Sequence, residues 1–350
     1  MVPVQFPKTF FTFSQYWWLY ALFVGFVLIV LLLDLGVFHK KDSIMSSKEA
    51  LLWSVFWILL AIGFNALFYF YSKGKSLDWF TVNPAGVPVG KTVMEAASSQ
   101  ATDFGTQFIT GYILEKVLAI DNIFVFVMIF KFFSVPLKFQ HKVLFYGILG
   151  AIFFRAIFIS IGAALIQFEW VLIAFGVFLI LTGIKIIVLP DHEIEPDKNW
   201  IVRLLRKTGR VSTKGFEETE GKFFTRENGK LFFTTLFIAT VLIELSDIVF
   251  ALDSVPAIFG VTKEPFIVFT SNIFAILGLR SLYFLLANMV EKFKYLKYGV
   301  SIILIFVGVK MVYLNHLFDG KFPISYSLSF IFIVIVISMI PSFFIGKKAE

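Results

Sequence analysis

No cysteine occurs anywhere in the 350 residues. That excludes disulfides, thiolate metal sites and thiol redox chemistry. Histidine is nearly as scarce. His39, His141, His192 and His316 fall at the ends of apolar runs or in loops, and no two are spaced to hold a haem or a zinc ion. Charge is thin too, at 16% of residues. There is no arranged nucleophile and base, no phosphate-cradling glycine loop and no open metal-bound water site. An enzyme is therefore not expected, and neither is an organic cofactor. What remains is apolar: 58% hydrophobic residues, 47 Phe and a mean hydropathy of +0.86. A soluble core could not absorb this, so the composition implies a polytopic protein of the lipid bilayer.

A helix needs about 20 apolar residues to cross a bilayer. Nine runs are long enough, at 17–38, 48–71, 104–130, 142–162, 168–189, 231–254, 266–290, 297–316 and 325–346. The expected fold class is all-α, a polytopic membrane helix bundle of about nine transmembrane helices. The first run carries Asp34 and lacks a small-x-small cleavage site, so it is not expected to be a cleavable signal peptide.

Orientation follows from lysine and arginine. With the N-terminus outside, the cytoplasmic segments hold twenty of these residues and the outer segments six. The expectation is N-terminus out and C-terminus in, in an inner (plasma) membrane; an organelle membrane would read similarly. The net charge of +7 is then mostly a topology signal, and nucleic acid is not an expected partner. Two connections exceed turns: 72–103, with VNPAGVPVG, and the mixed-charge cytoplasmic segment 190–230. WIVRLLRK in the latter reads either as an amphipathic surface helix or as a solvated linker. Membrane-protein partners would dock through these connections.

The two halves of the chain repeat. ILEKVLAIDNIFVF (113–126) matches IELSDIVFALDSVPAIF (243–259) when Asp121-Asn122 is laid on Asp253-Ser254; Glu115 then falls on Asp247. The next run of each half carries one arginine, Arg155 and Arg280, and the run after that carries Gly-x-Lys, with Lys185 and Lys310. Three spans per repeat means that the second copy enters from the opposite side, the inverted architecture of many secondary transporters. The chain divides into 1–103 (helices 1 and 2 with the outer loop), 104–189 (repeat 1), 190–230 (cytoplasmic loop), 231–316 (repeat 2) and 317–350 (helix 9).

A carboxylate at the centre of a membrane helix costs roughly 2.5–3.5 kcal/mol. The matched helices carry Glu115, Asp121, Glu244, Asp247 and Asp253. Acids six residues apart sit about 120° apart on an ideal helix, so a straight helix would not aim both at one point. Pro256 is expected to break the second helix and free carbonyls near Asp253. Together with Asn122 and Ser254 these groups offer hard oxygen ligands suited to Mg²⁺, Ca²⁺ or Mn²⁺. Asp34 and Asn65, in spans 1 and 2, are candidates to complete the site. The plainer reading is that the acids only pair with Lys116, Arg155, Lys185, Arg280 and Lys310 to hold helices together. In lipid, ionisable groups default to a pathway or site, which favours the first reading. Lys116, mid-span, is expected to pair with a neighbouring acid, while Lys185 is near enough to an interface to snorkel. The near-balance of acids and bases suggests a cycle in which a cation competes with protons or basic side chains, giving export coupled to proton entry.

GYILEKVLAIDNIFVFVMIFKFFSVP, RENGKLFFTT, VLIELSDIVFALDSVPAIF and FIVFTSNIFAILGLRSLYFLLA closely resemble the TerC family of integral membrane proteins, and within it the Alx-like branch. The resemblance covers residues 15–345, and its design is similar to that of the LysE-type exporters. It implies links to tellurium resistance, to pH homeostasis under alkali and to manganese export. It places the family's acidic motifs on Glu115, Asp121, Asn122, Glu244, Asp247, Asp253 and Ser254. It also selects Mn²⁺, as transported substrate, over Ca²⁺. A redox-modulator role finds no cysteine, no paired histidine and no nucleotide-binding glycines here. A carboxylate-rich site would repel tellurite, so a tellurium phenotype is expected to be indirect. The competing reading is a membrane scaffold or insertion factor acting in envelope or pH stress. Amino-acid export ranks third, because it calls for a roomier pocket with fewer clustered acids.

Overall fold

The structure, a computed structural model, describes residues 7, 9–38, 45–188, 203–204, 207, 210–287, 295–318 and 322–345. The side chains of Asp34 and Asp121 lie outside the described residues, as do five of the eight residues of WIVRLLRK. Helices dominate: α1 (Phe13–Phe38), α2 (Ser47–Val82), α3 (Val93–Phe132), α4 (Leu137–Leu165), α5 (Glu169–Val188), α6 (Thr235–Val261), α7 (Pro265–Leu277), α8 (Leu279–Leu286), α9 (Leu296–Val309) and α10 (Ile324–Ile345). Among the described residues, each of the nine expected segments lies mainly on helix, with 231–233 in a strand. By length and apolarity, though, only six helices qualify as spans among the described residues, or seven if α7 and α8 count as one bent span. The 40-residue α3 is not among them, because Glu115, Lys116 and Asp121 interrupt its apolar part. In α10 the apolar stretch is short, Ile324–Ile340.

Local chemistry sets the boundaries. Thr92 caps α3 by accepting from the Glu95 amide, and the Glu95 carboxylate accepts from the Thr92 amide in return. The backbone and hydroxyl of Thr92 hold the Glu95 carboxyl below its usual pKa. Before α6 the chain forms a hairpin of β1 (Phe224–Glu227) and β2 (Lys230–Phe233). Its turn is Asn228-Gly229, both with positive φ (48° and 76°), the signature of an Asn-Gly hairpin. The sixth span was expected to begin at 231. It begins at Thr235, because the hairpin claims Lys230–Phe233 and Thr234 caps the helix.

Two further expectations are corrected. Pro256 does not break α6, which runs on to Val261. The proline deletes one amide donor, but every residue from Ser254 to Val261 is buried, and tertiary packing holds the helix through it. The break falls one span later, at Gly278, where α7 and α8 meet at 42°.

The helices pack as a bundle in which α3 touches α2, α6 and α7, α4 touches α6, and α5 touches α9. Lipid gives no hydrophobic drive between helices, so association rests on close van der Waals contact. Glycines supply it along α5 and α9. A Cβ at Gly176 would lie 2.9 Å from the Gly308 carbonyl oxygen, and one at Gly183 would lie 2.7 Å from that of Ser301. At one end of the bundle the amides of Phe10 and Phe11 donate to Glu264 before α7, at 2.6 and 3.1 Å. The fully buried Phe11 ring packs against those of Phe68, Phe104 and Phe266.

The α5–α9 seam can be tested by overpacking. Gly308→Val should cost roughly 1–3 kcal/mol and lower the melting temperature in detergent by a few degrees. Gly63→Val, at a site with nothing within 4 Å, should leave it unchanged. Equal melting temperatures for the two variants would remove the seam from the account.

Candidate functional site

Arg155 projects from α4 into the centre of the bundle and is only 1% exposed. Three helices deliver its partners. From α6, Asp247 receives two contacts, Nη2 to Oδ1 at 3.2 Å and Nε to Oδ2 at 3.4 Å. From α3, Glu115 Oε1 accepts from Nη1. From α7, Asn272 Oδ1 accepts from the same Nη1 at 2.9 Å, and Ser254 of α6 lies at the margin, 3.5 Å away. An isolated charge could not be held here, since burial without partners costs many kcal/mol. The planar fork of the guanidinium reaches two carboxylates at once, which a lysine could not do.

The cluster is not closed. Two carboxylates face one guanidinium, so with both ionised the cluster would carry one negative charge in excess. Glu115 Oε2 and Asn272 Nδ2, on residues with 0% exposure, have no hydrogen-bond partner among the described residues. An acceptor-only oxygen without a donor marks a place where a proton, a water or a cation would be stabilised. Beside Asp247, between α4, α6 and α8, lies a cavity of about 10 Å³ lined by Gly147, Ile148, Ile243 and Arg280. That is room for roughly one water.

The remaining expected residues sit elsewhere. Asp253 faces α5, accepting from the Thr182 hydroxyl at 3.3 Å. It points away from Arg155, as six residues of helix require. Glu244 is half-buried against α4. A Cβ on Gly150 would overlap its carboxylate, and its Oε2 has no partner among the described residues. Asn122 is buried. Lys185 is exposed on α5, while Lys310 is buried at the start of a π-helical turn, Lys310–Leu314. Asn65 lies against Gly105, ten residues before Glu115 on α3, or roughly 15 Å along its axis. Lys116 was expected to pair with an acid. Its ammonium instead donates to the Ala275 carbonyl at 2.9 Å. Among the described residues no three His, Asp or Glu side chains converge on one metal position. The acids are distributed around the α6 axis rather than caged at one point.

Asn272 was missed by sequence reasoning. The signal was present, a carboxamide inside the apolar run FIVFTSNIFAIL, but it lies outside the repeat match that directed attention to Asn122 and Ser254.

The sequence profile described as "Integral membrane protein TerC family" matches residues 100–350. Similar proteins include an "Uncharacterized membrane protein STKORF319" of Myxococcus xanthus, 46% identical, covering 95% of this chain and 93% of that one. The "Putative membrane-bound redox modulator Alx" of Escherichia coli K12 is 42% identical, covering 94% of this chain and 95% of its own. The protein of that name in Photorhabdus laumondii is 40% identical, with the same coverage. No solved structure matches the chain.

Arg155→Met would strand two buried carboxylates, a loss of about 3–5 kcal/mol. It should lower the detergent melting temperature more than the triple variant Arg155→Met, Glu115→Gln, Asp247→Asn, which strands none. A triple variant no more stable than the single one would contradict the shared-guanidinium geometry.

Proposed function

The chain belongs to the TerC family of integral membrane proteins, and from that premise we propose that it exports a divalent cation, Mn²⁺, across the inner membrane with protons moving inward. The observation that carries this reading is the open cluster at Arg155, where Glu115 of α3 and Asp247 of α6 share one guanidinium while Glu115 Oε2 has no partner among the described residues.

In the resting arrangement Arg155 stands where a cation would otherwise sit. A divalent cation reaching Glu115 and Asp247 must displace the guanidinium or arrive as protons leave. Ser254 and Asn272 supply neutral oxygens beside the two carboxylates, a hard set that suits Mn²⁺. Asp253 and Glu244, on other faces of α6, extend a line of carboxylates along the helix, with Asp121 as the expected counterpart of Asp253 on α3. The preference for Mn²⁺ over Ca²⁺ rests on the family.

The proposed frame is nine crossings with two inverted three-helix repeats, α3–α5 and α6–α9. The packing supports it: the equivalent helices α3 and α6 pack on each other, as do α5 and α9, and α4 meets α6 as α7 meets α3. That exchange is what a pseudo-two-fold axis in the membrane plane produces. The redox wording in the relatives' names finds no thiol in this chain. A scaffold acting through 72–103 and the hairpin segment is the alternative, and it predicts that the acids are dispensable.

Mn²⁺ efflux from loaded cells tests the reading, with variants compared at equal membrane level. Glu115→Gln, Asp121→Asn, Asp247→Asn and Asp253→Asn should each slow efflux, by roughly a hundredfold if each removes a charged contact worth about 2.7 kcal/mol. Variants that match wild type hand the lead to the scaffold. Orientation has its own test, because the native chain carries no thiol. A Val89→Cys reporter should react with an impermeant maleimide from outside, and a Lys214→Cys reporter only after the membrane is opened. The reverse pattern would invert the topology.

A further inference from the structure

The break at Gly278 leaves the end of α7 short of amide donors. In an unbroken helix the Ala275 carbonyl would accept from the Leu279 amide. Here it accepts from the ammonium of Lys116, at 2.9 Å, delivered from α3 one residue after Glu115. The approach is tight. A Cβ on residue 278 would lie 2.7 Å from Lys116 Nζ and 3.2 Å from Trp57 Cβ on α2, so a side chain there would press on the ammonium where three helices meet. The Tyr112 ring, one turn back on α3, lies 5.8 Å from the same ammonium. A helix C-terminus carries partial negative charge and favours a cation beside it. In transporters the carbonyls freed at broken helices coordinate the coupling ions. This protein fills one such position with a cation of its own.

The break also sets where α8 points. Leu279 and Arg280, the first residues after it, line the cavity that Asp247 enters from α6. The 42° bend sets the direction in which α8 leaves the break, and with it Leu279 and Arg280.

We infer that Lys116 is a tethered cation that fills the carbonyl end of α7 and so positions Arg280 at the Asp247 cavity. It is a positioning residue, placed beside the acid cluster without belonging to it. Its importance to transport rests on the export reading above; its hold on the bend does not.

The test separates the two. Ser281 is buried on α8, and a Ser281→Cys reporter would be the only thiol in the chain. In membrane vesicles a water-soluble maleimide should modify it slowly. Adding Lys116→Met should speed labelling roughly tenfold or more, because a charge-assisted bond is lost. Lys116→Arg, a cation with donors, should bring labelling back near the parent rate. Mn²⁺ efflux should fall with Lys116→Met and recover with Lys116→Arg. Unchanged labelling in Lys116→Met overturns the inference whatever happens to efflux. Faster labelling when even the parent protein moves no Mn²⁺ supports the inference and sinks the export reading instead. If Lys116→Met does not reach the membrane, Gly278→Ala presses a methyl against the ammonium and gives the same readout: faster labelling supports the inference and an unchanged rate overturns it.

Discussion

One guanidinium shared between two carboxylates governs the centre of this protein. Arg155, Glu115 and Asp247 come from three helices, and Asn272 adds a fourth. In a low-dielectric interior none of these groups can be left alone. The cluster therefore ties α3, α4, α6 and α7 into one arrangement. Yet a buried ion pair is weak evidence for stability, because apolar side chains of similar volume often do as well. On the export reading, these charged groups, with one carboxylate oxygen lacking a partner among the described residues, are kept for something other than cohesion. That excess of negative charge connects the fold to the proposed cation path.

The same economy recurs around the cluster. At two negative positions in the bundle a basic side chain stands close by. Arg155 serves the two acids, and Lys116 serves the carbonyl exposed at the bend. Glycine makes each arrangement sterically feasible. Gly150 leaves room for the Glu244 carboxylate, and Gly278 leaves room for the Lys116 ammonium. Small residues in this bundle are shaped by the charges next to them as much as by the helices they join.

Much of this was legible in the residues. Helical segments announce themselves in lipid because only closed backbone hydrogen bonding is tolerated there, and among the described residues the nine apolar runs lie mainly on helix. The repeat match pointed to Glu115, Asp247 and Ser254, which do meet at Arg155. It also separated Asp247 from Asp253 by helical geometry, and they do face different ways. Counting spans by apolarity was less secure, since α3 carries charges inside its expected crossing. Pro256 misled because local propensity yields to burial, whereas Gly278, a residue of no obvious local consequence, bends the next span. The hairpin was written in Asn228-Gly229 but lay inside a segment read only for its charge. The partner of Lys116 was not legible at all. A backbone carbonyl leaves no mark in a sequence, and only the fold brings Ala275 to it.

The glycine seam between α5 and α9 has a mechanical meaning. Gly176 and Gly183 bring the α5 backbone close to the Gly308 and Ser301 carbonyls, with Val312 and Ile305 packed tightly beside them. Surfaces packed in this way do not compress; they stay together or separate outright. Asp253 is joined to α5 through Thr182. On the proposed cycle, any step that moves Asp253 together with α5 also carries α9. Two coupled helices displace more lipid than one, and a bilayer of different thickness resists that displacement differently. Membrane composition then enters the turnover rate as a mechanical load, set by the lipid rather than by the cation.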